Sequence, residues 1–226
     1  MASLVLGVAT KWWDGADECM ATWDRTCYAL RPRKIVEGRT ILDAYQEIYE
    51  TTANDVIGYL HDDLQILEQD WDKRTMDEFN DSRVGLVGWG GATGHGSKDL
   101  YTSPYHLPNL GRRNFMSNMR TAEAHGQRFS GTCEVAVIDG FSLFVRRIIL
   151  DRIGGWKALA PATYYLYTEA LCCEARRQGF KIKLVGVACD HLGGKTSTTA
   201  NITDDFQAAH KWLYDNYRDV LPYEAK

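Results

Sequence analysis

No apolar run in this chain approaches the roughly 20 residues that span a bilayer, so no membrane-crossing helix is expected. The opening Met1-Ala2-Ser3-Leu4-Val5-Leu6-Gly7-Val8-Ala9 is apolar, but it has no positively charged lead and is too short for a secretory leader with its cleavage site. It reads as a first core strand, and a soluble, cytoplasmic protein is expected. The six cysteines, Cys19, Cys27, Cys133, Cys172, Cys173 and Cys189, show no Cys-x-x-Cys spacing, and two are adjacent. That argues against a zinc framework and a secreted disulfide scaffold and leaves reduced, mostly buried thiols. There is no basic excess: 26 Lys and Arg stand against 30 Asp and Glu, a net charge of -4. This weighs against a strongly electrostatic nucleic-acid binder, though not against a local basic groove. Internal repeats, low-complexity tracts and dividing linkers are also missing, so residues 1–226 are expected to form one domain.

What is present is an ordinary globular composition, 45% hydrophobic and 25% charged, enough for a sizeable core. The stretch Ile57-Gly58-Tyr59-Leu60-His61-Asp62-Asp63-Leu64-Gln65-Ile66 stands out. It is a short apolar strand that runs into His-Asp-Asp and turns apolar again. Adjacent carboxylates at a strand end are costly unless something cationic offsets them. A divalent metal carrying a phosphorylated ligand would do so; a solvated turn, where Asp is common, is the plainer reading. Two units precede this stretch. Leu4 to Ala9 is a buried strand, followed by Thr10-Lys11-Trp12-Trp13, and residues 16–30 have helical spacing with Cys19, Trp23 and Cys27 on one face. Residues 32–38 form a second strand ending at Glu37-Gly38, and Thr40 and Asp43 have capping-box spacing before a helix through Thr51. The order βαβαβ is that of a mostly parallel sheet covered by helices. Such sheets bind ligands at the carboxyl ends of their strands, where Thr10, Glu37, Asp62 and Asp63 all fall.

Further along, residues 68–80 read as a charged helix and residues 84–88 as a strand. The glycines of 88–96 fail the dinucleotide fingerprint in spacing, and no helix follows. Residues 97–111 are a polar, Pro-bearing loop, and 112–130 carry Arg112, Arg113, Arg120 and Arg128, either facing an anionic substrate or forming a solvated face. Residues 134–147 are two apolar strand pieces split by Asp139-Gly140. A helix from about Arg147 to Ile153 ends at Gly154-Gly155-Trp156, and Tyr164 to Gln178 is a helix broken by Gly179. Then come a strand, Phe180 to Val187, the small polar stretch after Cys189-Asp190-His191, and a final amphipathic helix from about Asp205 to Tyr217.

Four separated blocks, His61-Asp62-Asp63, Ile138 to Arg147, Ile153-Gly154-Gly155-Trp156, and Tyr165 to Gly179 followed by Asp190-His191-Leu192-Gly193-Gly194, together resemble glycosyltransferases of the GT-A fold, family 2, over roughly residues 3–200. The resemblance implies an α/β fold with a Rossmann-like central mixed sheet flanked by helices, a donor-binding half (about 1–100) and an acceptor-side half (about 101–226). It implies Asp63 as the metal ligand, Asp62 at the sugar-nucleotide and the metal, and His191 as a further ligand. Glu37 would lie near the base or ribose, and Asp139 on the acceptor side. His61 stands where the family often has Asp. The family's usual acids near the start of the late helix are replaced by Thr168 and Ala170, so Glu169 between them is the expected base, with Asp139 the alternative.

The chemistry that follows is transfer of a sugar, hexosyl by expectation, from a nucleotide diphosphate, UDP being favoured, to an acceptor hydroxyl with inversion. Manganese or magnesium would stabilise the leaving diphosphate, and a carboxylate partly enclosed by Tyr165 and Tyr167 would take the acceptor's proton. Lys195, in a loop able to close over the diphosphate, would add a cation. Two other readings stay open: a non-catalytic carbohydrate- or nucleotide-binding domain that kept the fold and lost its base, and the same enzyme with a nucleic-acid acceptor, such as a hydroxymethylated base in phage-type DNA, held through Arg112, Arg113, Arg120 and Arg128 in place of a saccharide acceptor.

Overall fold

The computed structural model describes residues 2–11, 14–96, 112–120, 126–192 and 204–226. The first half runs β1 (Leu4–Thr10), α1 (Ala16–Thr26), β2 (Arg33–Glu37), α2 (Ile41–Thr51), β3 (Val56–Leu60), β4 (Leu64–Ile66), α3 (Trp71–Asp77), β5 (Val84–Gly88) and β6 (Gly90–His95). The second runs β7 (Arg112–Ser117), β8 (Gln127–Arg128), β9 (Thr132–Glu134), β10 (Val137–Ile138), β11 (Ser142–Arg146), α4 (Arg147–Ile153), α5 (Thr163–Arg177), β12 (Lys181–Val185), β13 (Cys189–His191), α6 (Asp204–Asn216) and β14 (Tyr223–Glu224). The expected βαβαβ opening is present, and Thr40 caps α2 by accepting the Asp43 amide at 3.3 Å. No helix among the described residues is long and apolar enough to cross a membrane.

The main sheet has the order β2-β1-β3-β11-β5-β12-β9. It is mixed: β1, β2 and β3 are parallel, and so are β5 and β12, while β11 runs antiparallel between β3 and β5. Because successive strand residues face opposite sides, the apolar run of β1 feeds two cores. Leu4, Leu6 and Val8 pack with Trp23, Trp71, Trp89 and Phe144 on one side. Val5 joins Tyr45, Ile48, Ile57, Tyr59 and Trp156 on the other. A second sheet is β10-β6-β7-β8 with β14 on β6, and β13 forms a two-stranded sheet with β4, with a further isolated bridge from Cys189 to Met119.

Two features explain sequence signals. Gly154 and Gly155 both have positive φ (83° and 90°), and a Cβ at 155 would press on the Gln46 amide, so the turn needs glycine at both places. The turn delivers Trp156 into the core, where its Nε1 donates to the Tyr59 hydroxyl at 2.9 Å. A Cβ at Gly140 would clash with the Tyr167 hydroxyl, which fixes glycine after Asp139.

The first helix ends at Thr26 rather than near residue 30. The cause is Asp72 of α3, which is fully buried. Its carboxylate accepts the Tyr28 amide (2.6 Å), the Ala29 amide (3.3 Å) and the Arg31 guanidinium (2.8 and 2.7 Å). These bonds pull the chain out of helical geometry and lock α3 to the approach to β2. Breaking a buried pair on one side costs about 3–5 kcal/mol. Arg31 keeps some solvent contact, so Asp72→Ala is expected at the lower end, about 3 kcal/mol, read as a lowered denaturant midpoint with unchanged slope.

Candidate active site

The carboxyl ends of β1, β2 and β3 form the floor of the site. Register pairs Thr10 with Glu37 across β1 and β2, and the Gly38 amide donates to the Thr10 carbonyl at 3.1 Å. Thr10 Oγ1 donates to Asp62 Oδ2, so Asp62 is turned toward β1. Three of the residues expected at the donor thus share one edge.

Next to that edge, three ligand atoms converge. His191 Nε2 lies 3.1 Å from Asp63 Oδ1 and 3.2 Å from His61 Nδ1, and His61 Nδ1 lies 3.9 Å from the same carboxylate oxygen. One imidazole nitrogen cannot aim a single proton at both neighbours, whereas three lone pairs around a point are what a cation needs. His61, Asp63 and His191 are the one such group found among the described residues. Asp62, expected as a ligand, is not in it. His61, which looked like a departure from the usual acid, is. The far side of His61 is closed: its Nε2 is buried and no described residue hydrogen-bonds it.

The cluster is built by pairing distant segments. β13 runs antiparallel to β4, matching His191 to Leu64, and the Leu192 amide donates to the Asp63 carbonyl at 3.0 Å. Helix α1 holds β4 from behind: Trp23 Nε1 donates to the Leu64 carbonyl (2.6 Å), and Thr22 Oγ1 accepts the Ile66 amide (2.8 Å). The His61 amide donates to the Phe141 carbonyl at 3.1 Å, and the Phe141 ring stacks on His191 with centroids 5.5 Å apart. Burial and the neighbouring His191 depress the His61 imidazole, against a weaker opposing pull from Asp63. Burial raises Asp63, but the His191 hydrogen bond and the charges of both imidazoles outweigh it and hold the carboxyl below its usual range. Both groups therefore favour the ligand form, neutral imidazole and carboxylate. Two imidazoles and one carboxylate fit manganese better than magnesium, which prefers all-oxygen octahedra.

The two candidate bases meet at Arg112. Its Nη1 donates to Asp139 Oδ2 at 2.6 Å, and its Nη2 and Nε reach Glu169 Oε1 at 2.5 and 3.2 Å. Glu169 Oε2 accepts the Thr168 hydroxyl at 2.8 Å, and Asp139 Oδ1 accepts the Phe141 amide at 3.2 Å. Burial raises Asp139, and Arg112 more than reverses it. Arg112, on β7, is matched in register with His95 on β6. Of the four arginines read as either facing an anionic substrate or forming a solvated face, Arg112 is engaged in this internal bridge, while Arg113, Arg120 and Arg128 are exposed. Trp12, Trp13 and Lys195 lie outside the described residues, as does the Tyr165 side chain; Tyr167 is buried beside Gly140.

A seven-stranded mixed sheet with an acidic, histidine-bearing cluster at its carboxyl edge defines an α/β protein of the GT-A glycosyltransferase fold. Residues 28–217 match the Glycosyltransferase like family, and the chain belongs to it. Among solved structures it is similar to GalNAc-T7 with UDP, GalNAc and Mn2+, with a TM-score of 0.64 at 8% identity, over 97% of this chain and 50% of that one. It is also similar to the mannosyltransferase PcManGT from Pyrobaculum calidifontis in complex with GDP-Man and Mn2+, with a TM-score of 0.55 at 12% identity, over 94% of this chain and 69% of that one. The likeness is one of fold, and the chain spans half the length of the first of these structures. No curated protein matches it.

Two outcomes follow. His61→Ala or His191→Ala should weaken Mn2+ binding in calorimetric titration by at least about tenfold, a loss of about 1.4 kcal/mol, whereas Asp62→Ala should change it far less. The second concerns acid. His95 is fully buried on β6, and burial with the nearby Arg176, Arg112 and His210 pushes its imidazole well below its usual value. Below about pH 6.5 the unfolded chain therefore binds a proton that the folded one refuses, so stability falls on acidification through that range. His61 acts in the same sense, and the depressed Asp63 and Asp139 add a further loss below the carboxylate range. Melting temperature followed from pH 7.5 to 5 should decline, and His95→Gln should flatten the slope.

Proposed function

We propose that this protein is a metal-dependent glycosyltransferase that moves a sugar from a nucleotide diphosphate to an acceptor hydroxyl. The observation that carries this is the convergence of His61 Nδ1, Asp63 Oδ1 and His191 Nε2 at the carboxyl ends of β3 and β13, beside the Thr10–Glu37–Asp62 edge. In this reading His61, Asp63 and His191 hold a divalent ion, manganese before magnesium, which when bound supplies positive charge for the leaving diphosphate. Thr10, Asp62 and Glu37 receive the nucleoside and sugar hydroxyls, which suit side chains that accept or exchange hydrogen bonds. UDP and GDP are the donor bases to try first, since the similar solved structures hold UDP or GDP-Man with Mn2+; a hexosyl unit is the expected cargo.

The acceptor side is the Arg112–Asp139–Glu169 cluster. A carboxylate there takes the acceptor's hydroxyl proton as the oxygen attacks the anomeric carbon. The new C–O bond forms as the bond to the diphosphate breaks, and that electron pair leaves with the diphosphate. One displacement of this kind inverts the anomeric centre. The acceptor is read as a saccharide hydroxyl rather than modified DNA, because Arg112 is committed to internal carboxylates instead of phosphates. The chain is read as one domain throughout, with the donor at its first half.

A thermal-shift screen of UDP, GDP, ADP and CDP, with and without Mn2+, tests the reading. Ligand at 100 times its Kd stabilises by about 2.7 kcal/mol, so one nucleotide should raise the melting temperature by several degrees, and only with the metal. No shift with any nucleotide would sink the proposal. A shift without release of sugar from any nucleotide sugar would leave a binding module.

A further inference from the structure

Resting on the glycosyl-transfer reading, we infer that the proton-accepting carboxylate is Asp139 and that Glu169 and Arg112 are positioning residues: Glu169 anchors the guanidinium, and the guanidinium fixes Asp139. The two acids differ in what they still offer. Glu169 has a side chain only 8% exposed, and both its oxygens are engaged, Oε1 by Arg112 twice and Oε2 by the Thr168 hydroxyl. Its oxygens are turned inward, to Arg112 and Thr168, with little surface left for an acceptor. Asp139 has a side chain 34% exposed and accepts one bond at each oxygen, from Arg112 and from the Phe141 amide. Each carboxylate oxygen has a second lone pair, and Asp139 is the acid of the two with side-chain surface from which an acceptor could reach one.

Position points the same way. Asp139 opens the turn whose next-but-one residue, Phe141, gives its carbonyl to the His61 amide and its ring to His191. The Asp139-Gly140-Phe141 turn therefore lies against the His61-Asp62-Asp63 turn, beside the proposed diphosphate end of the site. Glu169 is buried on α5, bonded to Arg112 of β7.

The guanidinium explains why two acids are needed. Arg112 is a planar fork: one edge, Nε and Nη2, is taken by Glu169, which leaves Nη1 aimed at Asp139. Without Glu169 the fork is free to turn and engage Asp139 with two nitrogens, covering the oxygen that must accept a proton. Charge balance agrees. Two carboxylates around one guanidinium leave one negative charge over, room for the one proton that the acceptor gives up. In the transfer step that proton leaves the acceptor oxygen for Asp139 as the sugar's bond to the diphosphate breaks.

The test uses the full chain with Mn2+ and a panel of UDP- and GDP-sugars, with water and simple saccharides as acceptors. It reads kcat, KM and the nucleotide-induced melting shift together. Asp139→Asn should lower kcat by about 10²–10⁴ with the nucleotide shift unchanged. Glu169→Gln should cost about tenfold in kcat, and Glu169→Ala more, the loss tracking misplacement rather than loss of the base. Arg112→Ala should lose kcat and regain part of it with added guanidinium, while Arg112→Lys, which keeps a charge without the fork, should not match the wild type. Glu169→Gln falling as far as Asp139→Asn, or Asp139→Asn keeping wild-type kcat, overturns the inference while the retained nucleotide shift leaves the transfer reading standing. No nucleotide shift in the unaltered chain, or a shift with no turnover of any donor, overturns the transfer reading and this inference with it.

Discussion

The pairing of β3 with β11 is the constraint on which the site depends. Strands β1, β2 and β3 all end on the same edge, as a parallel arrangement requires. β11 enters antiparallel, so it begins where they end. Ser142 lies opposite Leu60, and that single register choice sets the Asp139-Gly140-Phe141 turn against His61-Asp62-Asp63. An all-parallel insertion would have put the Asp139 turn at the far side of the sheet. The proposed donor and acceptor groups are neighbours because one strand runs the other way.

A second consequence is electrostatic. Two groups of acids crowd this edge, and they are offset differently. Asp139 and Glu169 are bridged by Arg112 from β7. Asp63 has two imidazoles, and the environment of His61 keeps that ring from supplying a full positive charge. Asp62 has a threonine hydroxyl. The first group has a fixed guanidinium and is left with one negative charge; the second has no guanidinium or ammonium bonded to it among the described residues. An acidic recess of that kind attracts a small cation more than it attracts a phosphate chain directly, which is why the metal reading and the diphosphate reading stand or fall together.

Much of this was legible in the sequence because it is local. The alternation of β1, the Thr40 cap, the glycine pair before Trp156 and the Asp139-Gly140 turn are each decided by residues within a few positions of one another. The donor edge was legible by one further step, that strands of such a sheet end together. What depends on long-range register was not. His61 belongs with His191 only because β4 pairs with β13, across 130 positions of sequence separation. Arg112 reaches Glu169 only because β7 folds back on β6, and no charge count on residues 112–130 separates it from its exposed neighbours. The overrun of the first helix has the same origin: Asp72, 44 positions away from Tyr28, outcompetes the helical ladder. Thr168 was the one local clue to the carboxylate arrangement, since a hydroxyl beside Glu169 is a donor to it.

The strand order also has a meaning for how the chain is made. β5 lies between β11 and β12, and both of its partners come later in the sequence. Strands β1, β2 and β3 can assemble as soon as they are synthesised, since each finds its neighbour among residues already present. β5, with Val84, Leu86 and Val87 all buried in the finished fold, has nothing to pair with until Ser142–Arg146 emerges. At about 5–20 residues per second, that is a wait of several seconds. During synthesis, then, the interval between the fifth strand and the eleventh is when this protein is most exposed to wrong partners and most dependent on whatever shields nascent apolar chain.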